Sequence, residues 1–150
     1  MGDGRAVSLA AKGNGGRSVG EAAQRERKHV FVINGHPDFL NLMRDLFQDE
    51  RYNVTTTNFV PESFDMVAAL QPAVIILDVN VAQREGWTLL EHLHAEAATN
   101  EIPVLVVSTD RHLLERARAQ AERYGAVDVL SKPFDLDAMV EAVRGLVGGA

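Results

Sequence analysis

Three absences narrow the possible classes of this protein before any motif is considered. The 150-residue chain contains no cysteine, which excludes disulfide frameworks and thiolate metal sites. Its apolar runs fall far below the roughly 18 consecutive residues that a membrane span needs, and the N-terminus lacks the apolar core of a secretory signal. We therefore expect one cytoplasmic domain with no membrane association, because this length suits a single domain with a sizeable core.

Charge is present but unevenly divided along the chain. Residues 1–28 carry six basic and three acidic side chains, a net charge of +3, which leaves −9 for residues 29–150. An acidic folded body repels nucleic acid, so no direct nucleic-acid binding is expected. Residues 1–28 also hold six of the twelve glycines, which predicts a disordered, solvated leader. The folded domain is predicted over 29–147, with 148–150 as a tail.

From residue 29 onward, strand patterns alternate with helical patterns. The predicted strands are 30–33, 52–57, 73–77, 104–107 and 127–130. Helical spacing predicts helices over 38–50, from Pro61, around 87–93, over 113–121 and from about 135. This alternation implies a parallel sheet covered on both faces by helices, and the pattern alone leaves strand orders 3-2-1-4-5 and 2-1-3-4-5 open. The residues predicted to face inward include Leu42, Leu70, Ala121 and Leu136.

Polar side chains follow three of the predicted strands at the point where each strand ends. Asp78, Ser108 and Lys132 hold these positions, and ligands of parallel sheets bind at the carboxyl ends of strands. A carboxylate can form a covalent phosphoryl intermediate, a hydroxyl can donate to a phosphoryl oxygen, and an ammonium supplies positive charge. A strand-end serine or a solvated lysine is unremarkable alone, but the three together predict a phosphoryl-transfer site.

These residues resemble those of the response-regulator receiver domain of two-component signalling, over about residues 29–147. The resemblance rests on the run 75–77 followed by Asp78 and Gly86, and on the run 103–107 followed by Ser108. Its third part is Gly125-Ala126 leading to Lys132-Pro133-Phe134. The resemblance implies an α/β, flavodoxin-like fold: a doubly wound five-stranded parallel sheet of order 2-1-3-4-5 with five helices.

The resemblance also implies a function in phosphorelay signal transduction. Asp78 would accept a phosphoryl group from a histidine kinase or phosphotransfer protein, Ser108 and Lys132 would contact it, and the Lys132–Pro133 peptide would be cis. A downstream protein would dock on the face formed by the fourth helix, fifth strand and fifth helix. Because the chain ends soon after the fifth helix, a stand-alone regulator is expected. Since the implied function is signalling by docking, the protein is not expected to be an enzyme.

Three features, at four positions, depart from the pattern of that family. The acidic pair that helps to bind magnesium after the first strand is replaced by Asn34-Gly35. Magnesium prefers octahedral oxygen ligands with carboxylates among them. Asp78 and the backbone carbonyl of Asn80 therefore remain as the main family-type ligands, with Asn34 weak or water-mediated, and magnesium binding is expected to be weak or absent. The other departures are Ala82, where a proline is usual, and Val129, where an aromatic switch residue is usual.

Two other functions remain open at this point. The departures favour a pseudo-receiver that serves as an interaction module independent of phosphate. A flavodoxin-like enzyme or nucleotide binder has less support, because the chain has neither a GxGxxG run after the first strand nor a GxxxxGK[ST] run.

Overall fold

The computed structural model describes residues 27–80, 84–124 and 126–148. Most of the predicted leader, Ala82, Gly125 and the last two residues lie outside these ranges. The strands are β1 (His29–Ile33), β2 (Asn53–Thr57), β3 (Val74–Asp78), β4 (Val104–Ser108) and β5 (Val127–Ser131). The helices are α1 (Pro37–Asp49), α2 (Ser63–Leu70), α3 (Glu85–Ala95), α4 (Arg111–Ala119) and α5 (Leu136–Leu146), and one 3-10 turn (Gln120–Glu122) follows α4.

The five strands form one parallel sheet in the order β2-β1-β3-β4-β5. This confirms the order 2-1-3-4-5 and the doubly wound, flavodoxin-like architecture. Every residue of β3 and β4 is buried, as expected for central strands that are covered on both faces. None of the helices in the described ranges is long and apolar enough to cross a membrane.

Alternate residues of β1, β3 and β4 enter one of two apolar cores. One core joins Phe31, Ile75 and Leu77 to α2, α3 and α4, and the other joins Val32 and Ile76 to α1 and α5. Burial of such side chains contributes roughly 1.5–3 kcal/mol each. Because both faces of β3 are packed, the end of this strand is held rigidly, and Asp78 occupies that end.

Four predicted inward positions proved to be exposed. Leu42 is 45% exposed, Leu70 43% and Leu136 40%, and Ala121 is exposed in the 3-10 turn beyond the end of α4. In α1 the buried side chains are Met43 and Phe47, which share one stripe, and Leu42 lies about 100° away from that stripe. Leu70 and Leu136 are the terminal residues of their helices, where the core no longer covers the chain.

Some element boundaries also differ from the predictions by one or two residues. Asp78 and Ser108 are the last residues of β3 and β4 rather than the first residues after them. Helix α2 begins at Ser63 rather than Pro61, because the Ser63 backbone N–H donates to Val60 O in a turn before the helix. Asp78 and Ser108 thus belong to the sheet itself, which restricts their motion, and Lys132 directly follows β5.

A buried histidine connects α3 to the turn after α4. The His94 ring stacks on Tyr124 with centroids 4.5 Å apart, and its Nδ1 is hydrogen-bonded to Gln120 Oε1. Burial lowers the pKa of His94, and the hydrogen bond that Gln120 Oε1 accepts from the ring opposes this shift only in part. The neutral ring is therefore the form that packs between these elements.

Candidate functional site

An acid and an amine meet at the carboxyl edge of the sheet. Asp78 is 8% exposed, and Lys132 Nζ lies 2.6 Å from Asp78 Oδ1. Strands β3 and β5 are separated by β4, a span of about 10 Å, which the long lysine stem crosses. A carboxylate paired with a half-buried ammonium is a suitable acceptor for an anionic group, because the positive charge remains beside the oxygen that would react.

Lys132 is held by the sheet through its backbone, and its ammonium lies near an aromatic pair. The Lys132 N–H donates to Ser108 O at 2.9 Å, so the ladder between β4 and β5 continues past the last strand residue. The Lys132–Pro133 peptide is cis. The ammonium lies 5.8 Å from the centroid of the Phe39 ring, which makes an edge-to-face contact with Phe134 at 6.4 Å.

The contact of Phe39 with the lysine was not predicted from the sequence. The position of Phe39 in the first turn of α1, just beyond the end of β1, could have indicated it. The contact helps to position the Lys132 ammonium, because a cation is attracted to the face of an aromatic ring.

Asn34 directly follows β1, the strand next to β3, at the same edge as Asp78. Ile33 pairs with Leu77 in register, so the next residues of the two strands are adjacent and share the sheet face toward α1 and α5. Asn34 is 1% exposed, and its Oδ1 accepts a hydrogen bond from the His36 backbone N–H at 2.8 Å. Its amide nitrogen is buried and has no hydrogen-bond partner among the described residues.

Ser108 is at the end of β4 and is completely buried. Its Oγ accepts a hydrogen bond from the Asp110 N–H at 3.0 Å, and Asp110 in turn caps α4 by accepting from the Leu113 N–H. Asp78 pairs in register with Val107, so Ser108 is one residue further along than the partner of Asp78. The structure therefore places Ser108 at the same edge as the acid–amine pair, and its hydroxyl hydrogen remains available for donation.

The residues at this edge do not fit a magnesium ion of the family type. Asp78 contributes one carboxylate, and that group is already paired with Lys132. The side-chain oxygen of Asn34 already accepts from the His36 N–H, so the amide presents its NH₂ donor and not an oxygen ligand. Asn80 is half-buried two residues beyond Asp78, and its family-type ligand would be the backbone carbonyl. In the described part of the chain no group of three or more His, Asp or Glu side chains could hold a metal.

A basic surface with an apolar hollow lies beside the site, on α4 and β5. Four of the nine basic residues in 29–150 fall between 111 and 123. Arg116 lies over the Trp87 ring of α3, and two of the four, Arg111 and Arg118, line the hollow. The hollow has a volume of about 450 Å³, and its walls include Arg111 and Arg118, the acidic Glu115, and the apolar Leu114 and Val129. Within the described ranges neither of these arginines forms an ion pair. The small Val129 side chain is half-buried, where the larger ring typical of the family would occupy more of this space.

The fold and the site together define a class of protein. A doubly wound parallel sheet of order 2-1-3-4-5 that carries an acid–amine pair at its carboxyl edge is the arrangement of a receiver-type signalling domain. The family model of the response regulator receiver domain matches residues 30–144, and the chain belongs to this family. This match confirms the family identified from the sequence. Receiver domains are signalling modules that interact with histidine kinases or phosphotransfer proteins.

Curated relatives are similar over the domain but are longer proteins. The chain is 27% identical over 118 residues to the DNA-binding dual master transcriptional regulator RpaA of Synechocystis, covering 79% of this chain and 48% of that protein. It is 29% identical over 113 residues to the nitrogen assimilation regulatory protein NtrX of Azorhizobium caulinodans, covering 74% and 24% respectively. The chain thus spans about half the length, or less, of these relatives.

Two solved structures show the same fold at low sequence identity. The receiver domain of Francisella response regulator 1452 matches with a TM-score of 0.69 and 20% identity, covering 82% of this chain and 98% of that one. The receiver domain of the sensor histidine kinase PA1611 from Pseudomonas aeruginosa has a magnesium ion coordinated in its active-site cleft. It matches with a TM-score of 0.66 and 15% identity, covering 81% and 98%.

Proposed function

We propose that Asp78 accepts a phosphoryl group from a histidine kinase or a phosphotransfer protein, as one step of a phosphorelay. The observation that carries the proposal is the 2.6 Å approach of Lys132 Nζ to the Asp78 carboxylate at the carboxyl edge of the sheet. Phosphoryl transfer depends mainly on positioning and on neutralising charge, and the ammonium provides both. Ser108 contacts the bound phosphoryl group through its hydroxyl hydrogen.

Acetyl phosphate and magnesium should add one phosphoryl mass to the wild-type protein, measured by intact-mass spectrometry. Asp78→Ala should gain none, because the attacking carboxylate is gone. Asp38→Ala, which removes an exposed carboxylate from the first turn of α1, is the matched control and should gain the same mass as wild type. Equal mass gain on Asp78→Ala, or none on wild type, would contradict the proposal.

A second candidate is an interaction module that works without phosphate, which the Asn34-Gly35 pair and Val129 favour. The same experiment separates the two functions. The module predicts no added mass, and it also predicts that Asp78→Asn binds partners as wild type does. A strong change of partner binding on Asp78→Asn would argue against it.

We also propose that the output partner docks on the face of α4, β5 and α5, and that the docking segment is acidic with an apolar anchor. The support is the hollow of about 450 Å³ beside Val129, which is flanked by Arg111 and Arg118. Glu115 also lines the hollow, so two arginines and one glutamate leave a net positive charge there, on a body whose charge is −9 over residues 29–150. Such a patch attracts and orients an acidic partner.

A synthetic amphipathic peptide of glutamate and leucine, followed by fluorescence anisotropy, tests this surface. The double variant Arg111→Glu/Arg118→Glu should weaken binding by roughly tenfold or more, because two attractive contacts become repulsive. Arg84→Glu, a reversal of an exposed arginine at the start of α3, should have little effect. Equal weakening by both variants would indicate that only the net charge matters.

Two broader features of the proposal remain predictions. A cytoplasmic setting suits a chain without cysteine. The stand-alone character expected from the sequence also stays a prediction, since the curated relatives carry further length beyond the matched region.

A further inference from the structure

The buried amide of Asn34 is the polar group at the site that the proposed function does not use. We propose that Asn34 Nδ2 and Lys132 Nζ together hold the phosphoryl group on Asp78 without a divalent cation. The inference rests on the proposed function, and it assigns to Asn34 the role of a hydrogen-bond donor in place of a metal ligand.

The orientation of the Asn34 amide follows from its local hydrogen bond. Only a carbonyl oxygen can accept from the His36 backbone N–H, and the two atoms are 2.8 Å apart. The NH₂ group is therefore directed away from the turn after β1. It is buried and without a partner among the described residues, and a buried donor of this kind is costly unless an acceptor is supplied. The register of β1 and β3 ends at Ile33 and Leu77, so Asn34 and Asp78 follow paired residues at the same edge of the sheet. A phosphoryl oxygen on Asp78 is the acceptor that we assign to this amide.

The charge of the site leads to the same conclusion. A carboxylate pair after β1 would place two further negative charges beside Asp78, and a cation would then be needed before a phosphate could approach. Here Asn34 and Gly35 are neutral, and the single charge of Asp78 is balanced by Lys132 at 2.6 Å. The site without phosphate is thus close to neutral. An arriving phosphoryl dianion meets an ammonium and an amide donor, and no excess of carboxylates repels it.

The covalent step balances without a metal or a redox partner. An oxygen of the Asp78 carboxylate attacks the phosphorus of an acyl phosphate such as acetyl phosphate, and a new P–O bond forms. The bond from phosphorus to the acetate oxygen breaks, and acetate leaves with the electron pair. Lys132 and Asn34 donate hydrogen bonds to the transferred oxygens, whose charge is spread in the transition state.

The test compares the mass gained from acetyl phosphate in excess EDTA with that gained in excess magnesium, at equal ionic strength. We expect the phosphorylated fraction of wild type in EDTA to lie within about twofold of that in magnesium, because no ligand position is filled by the metal. A gain in magnesium and none in EDTA would overturn this inference and leave the proposed function intact. No gain in either condition would overturn both.

Asn34→Asp isolates the amide donor. This substitution keeps the oxygen that accepts from His36 and replaces the NH₂ group by a charged oxygen, so the turn is preserved. The phosphorylated fraction in EDTA should fall by about tenfold, since a donor becomes a like charge, and magnesium should restore part of it. Gly35→Ala is the control: its Cβ meets no atom within 4 Å, and it should behave as wild type. Circular dichroism checks that each variant is folded, and an unchanged Asn34→Asp in EDTA would refute the role of the amide.

Discussion

Replacing Asn34 and Gly35 together by aspartate is expected to turn the site into a magnesium-binding one. Asn34→Asp is isosteric, and a side chain at position 35 enters open space, because nothing lies within 4 Å of a Cβ there. The double variant would bring three carboxylates together at one edge of the sheet, with Asp78 as the third, and such oxygens are the ligands that magnesium prefers. The melting temperature measured with and without magnesium reports the change.

The size of this effect follows from linkage. A magnesium concentration one hundred times the dissociation constant contributes about 2.7 kcal/mol of stability, which raises the melting temperature of a domain of this size by roughly 5–10 °C. Without magnesium the variant should melt below wild type, since like charges repel. Asn34→Ala/Gly35→Ala is the neutral control and should show no magnesium effect. A rise of many degrees in wild type with millimolar magnesium would contradict our description of the site.

Substituting Gly86 by alanine should strongly destabilise the protein. A Cβ at this position would overlap the backbone carbonyl oxygen of Asp78 and lie 3.0 Å from Val79 Cγ1. Backbone cannot yield as a flexible side chain can, so α3 must move away from the end of β3. Overpacking of this kind costs about 1–3 kcal/mol, and the melting temperature should fall by roughly 3–10 °C. The displacement should also disturb the pairing of Asp78 with Lys132 and slow the mass gain from acetyl phosphate.

Gly145→Ala is the matched control for this second prediction. Gly145 lies in α5, and a Cβ there, in contrast to one at Gly86, would meet nothing within 4 Å. Alanine there should stabilise the helix by about 0.5–1 kcal/mol, because glycine loses more backbone entropy on folding. Chemical denaturation of both variants gives the comparison. Equal and small effects at the two glycines would show that Gly86 is not needed for the approach of α3 to Asp78.

Several features of the site could be predicted because they depend on local sequence. A run of apolar residues that ends in a polar one predicts both the strand and the position of its functional side chain, as at Asp78 and Lys132. Helix faces were less predictable: Leu42 satisfies the helical spacing of α1 and is nevertheless 45% exposed. Spacing identifies an apolar stripe wider than the sheet can cover, and the packing angle decides which edge of that stripe stays in water.

The sequence by itself determined that strands alternate with helices and that an acid, a hydroxyl and an amine stand at successive strand ends. It also indicated that neutral residues replace the acidic pair. Tertiary structure decided how these groups meet: the stem of Lys132 crosses β4 to reach Asp78, and a turn at His36 directs the amide of Asn34 inward. The reason is physical. Strand ends are set by local patterns, whereas distances between side chains on different strands depend on register and burial, which form only when the sheet is complete.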